Sequence, residues 1–242
     1  MKRYLLPLVV ALGMMSAAPA EAASLKETNA WATPNLSAGF TPQGMTMLGN
    51  HVVMAEYKPG FNTRLVELDL NGKILGQVSI APTHAGGIAV VGKWLYVQNA
   101  DTPNHDTVRR YRVADLKLTK HPTYVKARGL QELAPWQFAS FMTADDDQLL
   151  AGHHGMGEGS RMYRFDVDQK TGLLSALDYV IVPDNTQGVA PGGVFTSGGG
   201  RLTVGSTVYS IPSHAEGVVV VDKTAYVAFE GKAKYVLRYQ LP

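Results

Sequence analysis

The side chains able to do chemistry in this 242-residue sequence are seven histidines and twenty carboxylates, because there is no cysteine and hence no thiol nucleophile. Several stand in short words that precede apolar runs: Pro42-Gln43-Gly44-Met45, His84-Ala85-Gly86-Gly87-Ile88 and His214-Ala215-Glu216-Gly217-Val218. A second set closes apolar runs: Glu56-Tyr57, Gln98-Asn99, His153-His154 and Glu230. Imidazoles and carboxylates brought together can hold a divalent metal such as zinc. They can equally hold a polar ligand by hydrogen bonds, and a carboxyl crowded by another is raised in pKa and can serve as acid or base. Glu216 and His214 are the candidates for acid–base chemistry. Gln43, Glu56, His84, Asn99, Ser140, His153, Gln187 and Glu230 are the candidates for ligand binding. Neighbouring residues on a strand point to opposite faces, so His153 and His154 share a ligand only where the strand has ended. Gly152 and the glycine-rich residues 155–159 place that end here. The pattern leaves the identity of any metal open.

These words must be placed by a repeat. Five segments align, each with a small-residue entry, an apolar strand, a polar turn and a second apolar strand, and the equivalent positions are Gly44, Gly87, Phe141, Gly188 and Gly217. Their mean spacing of about 43 residues matches the ~40–45 of a four-stranded propeller blade. The turns Gly49-Asn50, Gly92-Lys93, Asp145 to Asp147 and Asp222-Lys223 carry the residues that tight hairpins select. The sequence therefore predicts an all-β, five-bladed β-propeller over residues 23–242. Blade one is expected at 45–48, 51–57, 63–70 and 74–80, and blade three has its outer strands at 161–167 and 177–182. The fourth interval is only about 29 residues and predicts clipped strands at 187–191, 194–196, 201–204 and 207–211. The fifth blade stops one strand early, at 218–221, 224–229 and 235–241, and residues 24–33 supply the missing outer strand. Pairing the two ends of the chain closes the ring and leaves few free edges. Residues 127–138 are expected to hold at most one helical turn, because Pro135 interrupts them.

In such a blade the first strand starts and the second strand ends at the same face of the ring. Residues distant in sequence then meet at one mouth of the central channel. That rule, rather than any linear motif, gathers the histidines and glutamates named above.

Composition narrows the function. The net charge is only +2, and the triplet Arg109-Arg110-x-Arg112 alternates as a solvated strand does, so a nucleic-acid surface is not expected. The segment 1–22 joins Lys2 and Arg3 to an apolar run at 5–15 and ends in Ala20-Glu21-Ala22, the form of a secretory signal peptide. That run is too short to span a bilayer, and no other is long enough. A secreted or periplasmic monomer without a membrane span is the expectation. No Gly-x-Ser-x-Gly elbow or phosphate loop occurs, and Asp145 to Asp147 reads as a hairpin turn rather than a calcium loop. Trp94 reads as packing between blades and Trp136, beside Pro135, as exposed.

The entry words Pro-Gln-Gly-Met, His-Ala-Gly-Gly-Ile and His-Ala-Glu-Gly-Val resemble those of a class of uncharacterised bacterial secreted propeller proteins, over most of the chain. More distantly the sequence resembles NHL-type and gluconolactonase-type propellers, where a Pro-Glu-Gly entry supplies a metal-binding glutamate. That resemblance implies such a role for Glu216, whereas Gln43, Gly86, Ser140 and Gln187 occupy the equivalent place in the other repeats. The expected function is binding of a polar small molecule, sugar or extracellular partner at one channel mouth. A propeller-type hydrolase or lyase acting on a lactone or glycan is the alternative, and a module offering only its outer surfaces is a third.

Overall fold

The computed structural model describes residues 25–101, 105–155, 160–230 and 235–242. The expected signal segment lies outside them, as do most of residues 155–159. Five sheets, antiparallel but for one short added strand, are arranged as a five-bladed β-propeller. The first blade is β2 (Thr41–Leu48), β3 (His51–Tyr57), β4 (Thr63–Leu68) and β5 (Ile74–Ile80), running from axis to rim. The second is β6 (Ile88–Val91), β7 (Trp94–Asp101), β8 (Asp106–Arg112) and β10 (Gly129–Glu132). The third is β11 (Phe141–Asp145), β12 (Gln148–Gly152), β13 (Ser160–Val167) and β14 (Leu174–Val182). The fourth is β15 (Thr186–Ala190), β16 (Val194–Ser197), β17 (Arg201–Val204) and β18 (Thr207–Ser210), short throughout as its interval requires. The fifth is β19 (Ala215–Val221), β20 (Thr224–Phe229) and β21 (Tyr235–Gln240), completed by β1 (Glu27–Ala32), which pairs antiparallel with β21.

The inner strands are sandwiched between two neighbouring blades, so they are apolar on both faces rather than alternating. In β3, Val52 to Glu56 are all buried. The core is accordingly split into five apolar clusters, one at each junction between blades. Trp94 belongs to the junction of blades two and three: it is 4% exposed, its Nε1 donates to Gln169 O at 3.2 Å, and the Arg112 guanidinium lies 3.9 Å from its ring centre. Trp136 is 63% exposed and adopts φ 70°. Asp145 to Asp147 form the β11–β12 hairpin turn, with Asp146 at φ 51°.

The structure departs from the expected course in one region. After β8 the chain crosses to the rim of the first blade, adds β9 (Thr123–Tyr124) parallel to β5, and returns as β10. The expected helical turn at 127–138 is therefore replaced at 129–132 by the outer strand of blade two. Among the described residues the helical elements are two three-residue 3-10 turns.

The equivalent positions that open each repeat explain how the blades approach the axis. A Cβ on Gly87 would collide with Ala139 O of the third blade, and one on Gly188 with Glu216 O of the fifth. A Cβ on Gly217 would lie 2.6 Å from Met45 N and 2.8 Å from Gln43 O of the first blade. Glycine is thus needed for backbone to pass backbone. Phe141 takes this place in the third repeat and instead fills the junction with the short fourth blade, against Val189.

Candidate functional site

The residue before each of these five positions is Gln43, Gly86, Ser140, Gln187 or Glu216, one from each blade. All five line a single cavity of about 320 Å³ at the strand-entry mouth of the channel. The strand-exit side adds Gln98, His153, His154 and Glu230, and His84 closes the rim above Gly86. The circular arrangement brings together residues as far apart as Gln43 and Glu230, whose side chains bond directly: Gln43 Nε2 donates to Glu230 Oε2 at 2.8 Å. The Gln43 Oε1 atom is buried and has no hydrogen-bond partner among the described residues.

Glu216 is a strongly perturbed group in the cavity. It is 9% exposed, its backbone oxygen is fixed by the Thr196 hydroxyl at 2.6 Å, and no hydrogen bond is made to its carboxyl among the described residues. Burial, followed by the charge of Glu230, pushes its pKa up to about 8, so near neutrality it carries a proton. Glu230 is held at the end of β20 by its N–H, which donates to His214 O at 3.0 Å.

The histidines divide. The His84 ring meets Tyr57 edge to face at 4.9 Å, and the His153 ring stacks on Phe138 with centroids 4.1 Å apart. His154 Nδ1 lies 3.3 Å from Thr186 O of the next blade. His214 does not line the cavity, and its side chain is exposed. In the His84-Ala85 word the left-handed residue is Ala85, at φ 57°, whereas in the fifth repeat it is His214 itself, at φ 64°. Moving the turn by one residue sends the imidazole to solvent, so His214 serves the site through its backbone.

Two further expected residues also lie elsewhere. Glu56 is fully buried, but residues 33–40, which link the closing strand β1 to β2, cover it. Asn35 Nδ2 donates to its Oε2 at 2.7 Å, and its Oε1 has no partner among the described residues. Burial raises the Glu56 pKa to about 8 despite the Asn35 bond and nearby Arg64, which act in the opposite direction. Asn99 turns toward the third strand, β8, where its Nδ2 donates to Thr107 Oγ1 at 2.7 Å. Strand alternation gives the cavity its neighbour Gln98 instead.

Sequence reasoning missed Asp106 and Phe138. Asp106 opens β8, a third strand that the repeat does not flag. Its Oδ2 accepts from Ala139 N at 2.7 Å and from Gln98 Nε2 at 3.3 Å, which ties the connection carrying Phe138 to the channel wall. Among the described residues no three His, Asp or Glu side chains are grouped closely enough to hold a metal ion. The glutamate role implied by the gluconolactonase-type resemblance therefore has no ligand set there.

No protein-family model matches the chain. No curated protein matches it either. Solved structures with a similar chain path include one of a nidogen/laminin complex, at 10% identity over 78% of this chain and 72% of that one, with a TM-score of 0.45. PorZ, described as an essential bacterial surface component of the type-IX secretion system of Porphyromonas gingivalis, aligns at 14% identity over 84% of this chain and 26% of its own, with a TM-score of 0.41. The WD40 β-propeller domain of Doa1 aligns at 11% identity over 81% of this chain and 62% of its own, with a TM-score of 0.35.

Proposed function

We propose that the protein is an exported propeller that binds a small polar molecule in the axial cavity. The observation that carries this reading is the ring itself. One equivalent residue per blade converges on a partly open cavity whose walls are mainly glutamine, serine, histidine and carboxyl groups, with Phe138 the one large apolar side chain. Buried polar groups cost free energy unless bonded, and the buried Gln43 Oε1 has no hydrogen-bond partner among the described residues. A ligand with several hydrogen-bonding groups satisfies it. Export rests on the basic, apolar and small-residue segment at 1–22.

The test is a thermal-shift panel of sugars, polyols, amines and organic acids against the wild type and Ser140→Trp. The variant fills the mouth with an indole. A compound that raises the wild-type melting temperature but not that of the variant supports the reading, whereas equal shifts in both refute it.

Glu216 also favours a second reading, as a general acid in a hydrolase or lyase. It is protonated near neutrality and its neighbour Glu230 accepts from Gln43, an asymmetry that acid–base pairs use. Turnover of a lactone or glycan that is abolished in Glu216→Gln, with the fold intact, would establish it.

A further inference from the structure

Three carboxyl groups, Asp106, Glu216 and Glu230, face the cavity, and no Lys or Arg lines it among the described residues. Acidic residues alone do not make a site, but Gln43, which is 1% exposed, also lines the cavity and its Oε1 has no hydrogen-bond partner among the described residues. Desolvating a carboxyl beside a second one is unfavourable unless something positive or a proton compensates. Opposite, Phe138 stacked on His153 offers an aromatic wall against which a methylene chain or a cation can rest.

Resting on the polar-ligand reading above, we propose that the occupant is a small organic cation bearing a primary ammonium group, which Glu216 and Glu230 hold. Its entry displaces the proton that burial keeps on Glu216. An ammonium group has three donors and no acceptor, which suits a pair of carboxyls and the unpartnered Gln43 Oε1. The remaining titratable groups facing Glu216 across the cavity are Asp106, His84, His153 and His154. The carboxylate strengthens the attraction. Acid, which returns the proton to Glu216, weakens binding. The strands packed against Glu216 contribute the uncharged Gln43, Gln187 and Thr196.

The experiment compares 1,4-diaminobutane with 1,4-butanediol, which have the same carbon skeleton and differ in charge, by isothermal titration calorimetry at pH 7 in phosphate and in HEPES, neither of which carries a primary ammonium group. The diamine is expected to bind at least tenfold more tightly. Its apparent enthalpy should differ between the buffers as release of about one proton requires, and its affinity should rise by up to tenfold per pH unit toward pH 8. Glu216→Gln should remove the buffer dependence, and Glu230→Gln should weaken the diamine but not the diol. Equal binding of diol and diamine, blocked by Ser140→Trp, would overturn the cation while leaving the mouth as a polar-ligand site. Absence of diamine binding would also overturn it, with the wider compound panel deciding separately whether the mouth binds anything.

Discussion

Replacing Gly217 by alanine places a methyl group where the fifth blade passes the first. The added Cβ would stand 2.6 Å from Met45 N and 2.8 Å from Gln43 O, both backbone atoms that no rotamer change can move. Ordinary carbon contacts need more than 3.4 Å, so one blade must shift by most of an ångström, and overpacking of this kind costs about 1–3 kcal/mol. For a chain of this size each kcal/mol lowers the melting temperature by roughly 2–4 °C, so Gly217→Ala should melt about 2–12 °C below wild type. Gly199→Ala is the control: its Cβ would meet only Ser197 Oγ, at 3.5 Å, and the melt should be unchanged within about 0.5 kcal/mol. Circular dichroism melts at fixed pH read both. If Gly217→Ala melts with the wild type, the close approach of blade backbones around the axis is not what these glycines serve.

Three other outcomes are expected. Glu56 and Glu216 have folded-state pKa values raised to about 8 from the ordinary 4.5, so the folded chain binds more protons than the unfolded one between those values. Stability should therefore fall as pH rises from about 4.5 to 8, with a slope of up to about 1.4 kcal/mol per pH unit per group, and urea titrations should show Glu56→Gln flattening that slope and raising stability at pH 8.5. Trp94→Ala opens the junction of blades two and three and removes the bond to Gln169, which should cost about 3–5 kcal/mol in the same urea assay. Deleting β1 exposes the edge of β21, and size-exclusion chromatography should then show association of the shortened chain.

The fold was legible because a propeller repeats its unit: the entry glycines, the hairpin turns and the paired apolar runs recur, and the early end of the fifth blade pointed to closure by residues 24–33. The axial ring was legible for the same reason, since position within the repeat places Gln43, Ser140, Gln187 and Glu216. What departs from the repeat was not legible. The excursion through β9 has no counterpart in other blades, and its two-residue strand carries no periodic signal. Glu56 occupies the exit position of its repeat, but the connection at 33–40 exists only because the ring is closed by the other end of the chain. His214 and Asn99 were each displaced by a one-residue difference, in the site of the left-handed turn or in strand alternation, that aligned words cannot convey. Asp106 and Phe138 sit outside the two strands from which the mouth was inferred.

The most direct measurement is a crystal structure of the protein soaked with the panel compound that raises its melting temperature most. The account predicts density for that compound on the channel axis, within hydrogen-bonding reach of Glu216 and Gln43. Density only on the outer strands, or an empty mouth in a protein that the compound still stabilises, would contradict it.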